Sequence, residues 1–257
     1  MDKTQFDAGT GTLSLTPSAI VALAQATRGL DPLSVEARAE LSSGGLLESG
    51  GLHRRLMPVA ETIGRSLVRL RLDDLLSRGS GCEGWIDASL AVLVESNHPQ
   101  RVAGNVVVAP RAFVPATLAR AVHLGPRTRS KVGEPLELDA GLLEALLTAG
   151  GALDADQIAG LLDPGEPVWL ETLAALSRGI RGRWRAGVWW NSSTEQPSAR
   201  LIEIVDSDSG LFLVTTRPRG AMGTRRIELR PVSSRQVWRL LCALVPPADQ
   251  VTEPLVP

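Results

Sequence analysis

Residues 13–23, LSLTPSAIVAL, return in outline as residues 136–146, LELDAGLLEAL. Leu13 and Leu15 match Leu136 and Leu138 at an offset of 123, and the same offset pairs Ile20 with Leu143 and Leu23 with Leu146. Each copy alternates apolar and polar residues, then switches to helical spacing. Thr16 and Asp139 stand at the switch, and both residue types cap helices by accepting from free backbone N–H groups. Pro17 takes the first helical position after Thr16, where a missing N–H costs nothing. Each half therefore opens with a short strand that runs into a helix, over 17–28 and 140–149. An internal repeat of this length predicts two similar halves.

The halves run on in parallel. Second helices are expected at 33–42 and 154–162, and third helices at 52–64 and 167–178. Pro58 should kink the first of the latter or move its start. Strands follow. Leu67–Leu72 sets Val68, Leu70 and Leu72 against Arg69 and Arg71, and 183–190 puts Trp184, Ala186, Val188 and Trp190 on one face. Ala88–Glu95, Arg200–Val205, Leu211–Thr216, Val106–Pro110 and Ile227–Pro231 also read as strands. The polar stretch Asp206–Gly210 suits a hairpin turn. Closing helices are expected at 112–123 and 233–245, the second with Val237, Trp238, Leu240, Leu241 and Leu244 as its apolar set. On this pattern the first half is one strand short of the second, and 73–84 reads as a loop.

These elements divide the chain into an N-terminal half, 1–125; a Pro- and Gly-containing linker, 126–135; a C-terminal half, 136–247; and a flexible tail, 248–257, rich in proline. Short links between consecutive strands favour antiparallel pairing. The expected class is α+β, with the strands of both halves in one sheet about a pseudo-twofold axis.

Composition narrows the function. The 257 residues carry 27 Lys+Arg against 28 Asp+Glu, a net charge of −1, and are 44% hydrophobic and 21% charged. Such a chain has material for a core and is not built to coat nucleic acid. Only Lys3 and Lys131 are lysine and tyrosine is absent, a bias typical of high-GC codon usage. Two cysteines, Cys82 and Cys242, support no disulfide framework and suit a reducing compartment. No apolar run is long enough for a transmembrane helix, and the first residues lack the apolar stretch of a classical signal peptide.

No catalytic constellation emerges. There is no phosphate-binding G-x-x-x-x-G-K-[ST] loop and no G-x-S-x-G elbow. His53, His98 and His123 are isolated. Asp206-x-Asp208-x-Gly210 lacks the oxygen donors of a calcium loop at the later positions. Asp73 and Asp74 are neighbours on extended chain and point apart. Asn191-Ser-Ser193 matches a glycosylation sequon, which has meaning only in a secreted chain. Neither cofactor, metal nor small-molecule substrate is expected. Arginine clusters at 178–185 and 217–230 lie near five tryptophans, a mixture seen in single-strand binders, but the balanced charge argues against it. Two features suit protein binding instead. Trp189 faces away from Trp184 and Trp190, and an exposed Trp is a strong interface anchor. The segment Asp73–Gly84 carries Leu75 and Leu76 beside Arg78; it is either a short helix docked on the body or a contact surface. The candidate partner-binding residues are thus Leu75, Leu76, Arg78 and Trp189.

Taken together, Leu13–Pro17, the Val68–Leu72 and Ala88–Glu95 strands, Val106–Pro110 with its helix to Leu124-Gly-Pro-Arg127, and Ile202–Asp206, Gly210–Val214 and Ile227–Pro231 resemble the EspG family of actinobacterial type VII (ESX) secretion, over residues 12–247. The resemblance implies a central antiparallel sheet flanked by two helical bundles. It also implies a cytoplasmic, non-enzymatic chaperone that binds the apolar tip of PE–PPE-like helical proteins and supports their secretion, with no membrane or nucleic-acid partner. Residues 73–84 occupy the place of the family's variable loop near the substrate. Two alternatives stand beside it. One is a DNA-binding regulator with winged-helix-like units over 33–72 and 154–190, whose wings would use Arg69, Arg71, Arg183 and Arg185. The other is an enzyme whose residues converge only in the fold.

Overall fold

A computed structural model describes residues 3–27, 34–76, 81–96, 103–127, 134–148, 156–157, 173, 176, 179–192, 197–216 and 226–255. The N-terminal half runs β1 (Gln5–Asp7), β2 (Thr12–Leu15), α1 (Pro17–Thr27), α2 (Val35–Ser43), the two-residue strands β3 (Leu47–Glu48) and β4 (Gly51–Leu52), α3 (Met57–Gly64), β5 (Val68–Asp74), β6 (Gly81–Ile86), β7 (Leu90–Ser96), β8 (Gly104–Pro110) and α4 (Val114–Ala121). The C-terminal half runs β9 (Leu136–Asp139), α5 (Ala140–Thr148), β10 (Ile180–Asn191), β11 (Pro197–Ser207), β12 (Gly210–Thr216), β13 (Arg226–Val232) and α6 (Ser234–Leu244). The helices expected at 154–162 and 167–178 lie outside the described residues, except for isolated positions; two of these, Leu173 and Leu176, are buried.

Eleven strands form one antiparallel sheet in the order β1-β2-β8-β7-β6-β5-β10-β11-β12-β13-β9. Apart from β1, the order reads the same from either end: β2 answers β9, β8 answers β13, β7 answers β12 and β6 answers β11. The centre is the antiparallel pair β5–β10, in register from Trp184 opposite Asp74 to Trp190 opposite Val68. Arg71 opposite Gly187 is the midpoint, where the pseudo-twofold axis passes.

The local signals act as expected at the start of the repeat. The Thr16 hydroxyl accepts from the Ala19 N–H at 3.2 Å, and Pro17 begins α1. The Thr4 and Thr16 hydroxyls both donate to Glu40 Oε1, each at 2.7 Å, tying α2 to the entry of α1. Pro58 falls in the first turn of α3, so the helix begins at Met57 after a 3-10 turn at Arg54–Leu56, and residues 51–52 are strand.

Three apolar cores hold the layers. On one sheet face, Leu70, Leu93, Trp184, Val188 and Ile204 pack under α4 and α6, so both halves contribute to a single core. On the other face, α1–α3 cover Trp85, Val92 and Val94 at one end. α5, with Leu173 and Leu176, covers Val205, Phe212, Ile227 and Leu229 at the opposite end. The fold is α+β, a central antiparallel sheet with a helical cluster at each end of one face.

Four expectations change. Strand enters residues 73–84 from both sides: β5 reaches Asp74 and β6 begins at Gly81, so the first half lacks no strand. Gly81 and Gly84 hid it, because glycine is a poor strand former. A Cβ at Gly84 would lie 2.7 Å from Leu93 Cδ2 and 3.0 Å from Leu70 Cβ, so close packing requires the glycine. Trp238 is not core; it is 41% exposed, because α6 buries the stripe Val237, Leu241 and Leu244 and the next residue along is turned about 100° away. The tail is docked through residue 255. The Thr252 N–H donates to Asn191 O, the Leu255 N–H donates to Ser66 O, and Glu253 bridges to Asn191. The winged-helix-like alternative fails on topology: its wing strands β5 and β10 are the two central strands of the sheet.

Candidate partner-binding site

Alternation along β5, β10 and β11 sends Val68, Leu70, Leu72, Trp184, Ala186, Val188, Ile202 and Ile204 into the shared core. The residues between them face the other way, into the strip of sheet between the two helical clusters. Trp189 stands opposite Arg69 on one side and Ala199 on the other, and Gly187 stands between Arg71 and Leu201. Trp189 is 39% exposed and Leu201 is 63% exposed. They are diagonal neighbours on one face, close enough to make one patch. Gly187 supplies room for it: a Cβ there would lie 3.2 Å from Leu201 Cδ1, so the leucine leans over the glycine.

Charged groups frame this patch. The Arg69 guanidinium lies over the Trp85 ring, 4.6 Å from its centroid, and burial lowers its pKa against the pull of Glu83. Arg71 Nε donates to Asp73 at 2.8 Å. Arg185 donates to Glu203 Oε2 at 2.6 and 2.9 Å, and Arg183 donates to Glu203 Oε1 at 2.8 Å and to Glu144 at 2.8 Å. Burial would lower the Arg183 pKa, but the bonds to Glu144 and Glu203 outweigh it and raise it. The chain Glu144–Arg183–Glu203–Arg185 thus fastens α5 to the sheet beside the patch. These arginines are engaged internally, as wing arginines reaching for phosphate could not be.

Leu75 and Leu76 lie beyond the end of β5. The Leu75 N–H donates to Arg183 O at 2.7 Å, extending the central ladder, and Leu76 is partly exposed. Position 75 is six residues along the strand from Arg69, which stands opposite Trp189, so the two candidate contacts are roughly 20 Å apart. The structure does not gather them into one point; they mark two places along the central seam. Arg78 lies outside the described residues. Sequence reasoning missed Leu201 and considered Arg69 only as a wing arginine. Leu201 sits in the apolar run Leu201–Val205, where only the pairing with Gly187 reveals that it points outward.

A cleft of about 430 Å³ opens on the α4 side, near Cys82, Arg120, Arg127 and Asp206. Its charges are spent internally: Arg127 binds Asp206 at 2.7 Å and Arg120 binds Glu95 at 2.8 Å. Arg127 belongs to the expected linker, which it anchors to the sheet. Burial, with Glu95 and Glu83 nearby, pushes the Cys82 thiol up to about 12, so it is no thiolate nucleophile at neutral pH. Among the described residues no group of three His, Cys, Asp or Glu could hold a metal ion, and no helix is long and apolar enough to cross a membrane. His53 caps the 3-10 turn by accepting from the Arg55 N–H, and His123 ends the α4 segment at positive φ. His98 lies outside the described residues.

Neither a protein-family model nor a curated protein matches the sequence. In structure the chain is similar to the Mycobacterium tuberculosis type VII secretion system chaperone EspG5, solved in complex with a PE25–PPE41 dimer. The two are 9% identical and superpose with a TM-score of 0.54 over 95% of this chain and 98% of that one. That likeness extends over both halves and their shared sheet, and on it the chain has an EspG-like fold.

Proposed function

We propose that this chain is a cytoplasmic, non-enzymatic chaperone of an actinobacterial type VII (ESX) system, which covers the apolar tip of a PE–PPE-like helical protein until secretion. The observation that carries this reading is the Trp189–Leu201 patch, left open at the centre of a sheet whose ends are covered by helices. The EspG-like fold supports it, since EspG5 was solved holding a PE25–PPE41 dimer. An apolar helical tip aggregates in water unless a complementary surface covers it. An exposed Trp and Leu beside fixed arginines have the makeup of an interface centre, with anchors in the middle and charge at the rim. In this reading Trp189 and Leu201 take the apolar tip. Leu75 and Leu76, with Arg78 in the same stretch of sequence, supply a second contact farther along the seam.

The test is coexpression with PE–PPE pairs from the source organism, followed by calorimetric titration of the purified complex. Trp189→Asp with Leu201→Asp should weaken binding by about 100-fold or more, given the cost of losing interface anchors. Unchanged affinity would remove the patch from the interface. Failure of the unaltered chain to bind any of the pairs would remove the chaperone reading.

A further inference from the structure

α6 carries a second surface, on the opposite side of the sheet from the Trp189 patch. Val237, Leu241 and Leu244 face the shared core. Arg235, Trp238, Arg239 and Cys242 follow helical spacing on the outer side, and all four are exposed. Trp238 keeps 41% of its surface in water. Neither Arg235 nor Arg239 makes an ion pair or side-chain hydrogen bond among the described residues. Arg71, Arg120, Arg127 and Arg230 are paired, with Asp73, Glu95, Asp206 and Glu228; Arg38, Arg54 and Arg65, like the two on α6, make no ion pair or side-chain hydrogen bond among the described residues, but none of them stands beside an exposed tryptophan. The arrangement on α6 is electrostatically unfavourable in isolation. Arg235 stands in the first turn, where the helix dipole repels a cation, and α6 has no acidic residue there to offset it. Arg239 adds a like charge one turn on.

The internal repeat provides a control. The offset of 123 that relates Leu13 to Leu136 also relates Val114 to Val237 and Leu118 to Leu241. The same buried positions therefore anchor α4 and α6 over the shared core. In that register Ala112, Pro115 and Ala116 stand where α6 has Arg235, Trp238 and Arg239. α4 fulfils the packing role without an aromatic or a cation at these places, so packing does not require them in α6.

We propose that the outer face of α6 binds an acidic segment of a second protein, with Trp238 covered by an apolar side chain of that segment and Arg235 and Arg239 each meeting a carboxylate. The two arginines are one helical turn apart, about 6 Å along the axis, a span that fits two carboxylates on a short peptide. A nucleic-acid strand needs a longer basic track than two arginines and one ring provide. The surface makes no use of Trp189 or Leu201, so it is independent of the chaperone reading.

The experiment uses the full chain with isotope-labelled indole groups, the Trp238 signal being assigned with Trp238→Phe. The probes are the acidic peptide EELEEL, its neutral counterpart QQLQQL and a short single-stranded oligonucleotide. EELEEL should shift the Trp238 signal saturably, and its affinity should fall at least about threefold when salt rises from about 50 to about 200 mM. QQLQQL should leave the signal in place. Arg235→Gln with Arg239→Gln should abolish the response while the thermal midpoint stays level or rises slightly, as the repulsion at the helix start is relieved, and Trp189→Asp should retain it. An equal response to QQLQQL, no saturable shift, a full response in the double glutamine variant, or tighter binding of the oligonucleotide would each overturn the proposal.

Discussion

Truncating a tryptophan costs what the fold covers, and the tryptophans among the described residues fall into two groups. Trp85, Trp184 and Trp190 are sealed in cores, whereas Trp189 and Trp238 are half in water. Trp190→Ala should therefore cost about 3–5 kcal/mol in urea denaturation. Trp238→Ala should cost about 1 kcal/mol or less, because no cavity opens; a loss as large as that of Trp190→Ala would return Trp238 to the core. Strand alternation is exact enough to assign Trp184, Trp189 and Trp190 from sequence. Helical phase is less forgiving: Trp238 sits among four apolar neighbours, and only the burial of Val237 fixes which way it turns. A polar residue gives a second test. The Thr16 hydroxyl, and after it that of Thr4, hold the Glu40 carboxyl below its ordinary pKa of 4.5. A carboxylate whose pKa falls on folding contributes stability that is full above the unfolded value and lost as pH drops through the folded one. The stability gap between the native chain and Glu40→Gln should thus be constant from neutral pH to about 5.5, then close as acid is added below 4.5. A gap independent of pH would show that the carboxylate charge is not what ties α2 to α1.

Among the elements, β6 shows how tertiary context overrides local signal. GCEGWI contains two glycines in six residues, and propensity alone leaves it a loop. It is a strand because Leu70 and Leu93 close over Gly84 from either side. Gly84→Ala should accordingly cost about 1–3 kcal/mol through overpacking, although alanine is the better strand former. A neutral or stabilising result would mean the neighbouring strands can part. α6 is the opposite case in its bounds, if not in the turn of Trp238: Ser233 accepts from the Gln236 N–H while the Gln236 side chain accepts from the Ser233 N–H, a complete capping box. Ser233→Ala should lower stability by about 1 kcal/mol. The β5–β6 connection lies between these cases. Its leucines were marked as a contact surface, and the structure places them at the end of the central seam. Leu75→Asp with Leu76→Asp should leave the far-UV spectrum and thermal midpoint nearly unchanged while weakening partner binding; a collapsed midpoint would make them packing residues.

At the scale of the molecule, the repeat announces two halves but not how they join. Leu13–Leu23 and Leu136–Leu146 are far apart in the fold, at opposite ends of the sheet, and say nothing about its centre. The join is β5 against β10, whose pairing depends on contacts between Val68–Asp74 and Trp184–Trp190 that no local pattern encodes. The place of Leu201 beside Trp189 was hidden in the same way, since it is set by the register of β10 against β11. The join also decides cooperativity. The core under α4 and α6 draws Leu70 and Leu93 from one half and Trp184, Val188 and Ile204 from the other. Dividing the chain between the halves would bare both central strands along their hydrogen-bonding edges and halve that core. The halves should therefore melt together, in one calorimetric transition whose van't Hoff and calorimetric enthalpies agree. Fragments 1–130 and 131–257 should be largely unfolded when separate and should regain the spectrum of the intact chain when mixed. Two resolved transitions, or a fragment that folds cooperatively alone, would make the halves independent domains and reduce the β5–β10 seam to an interface between them.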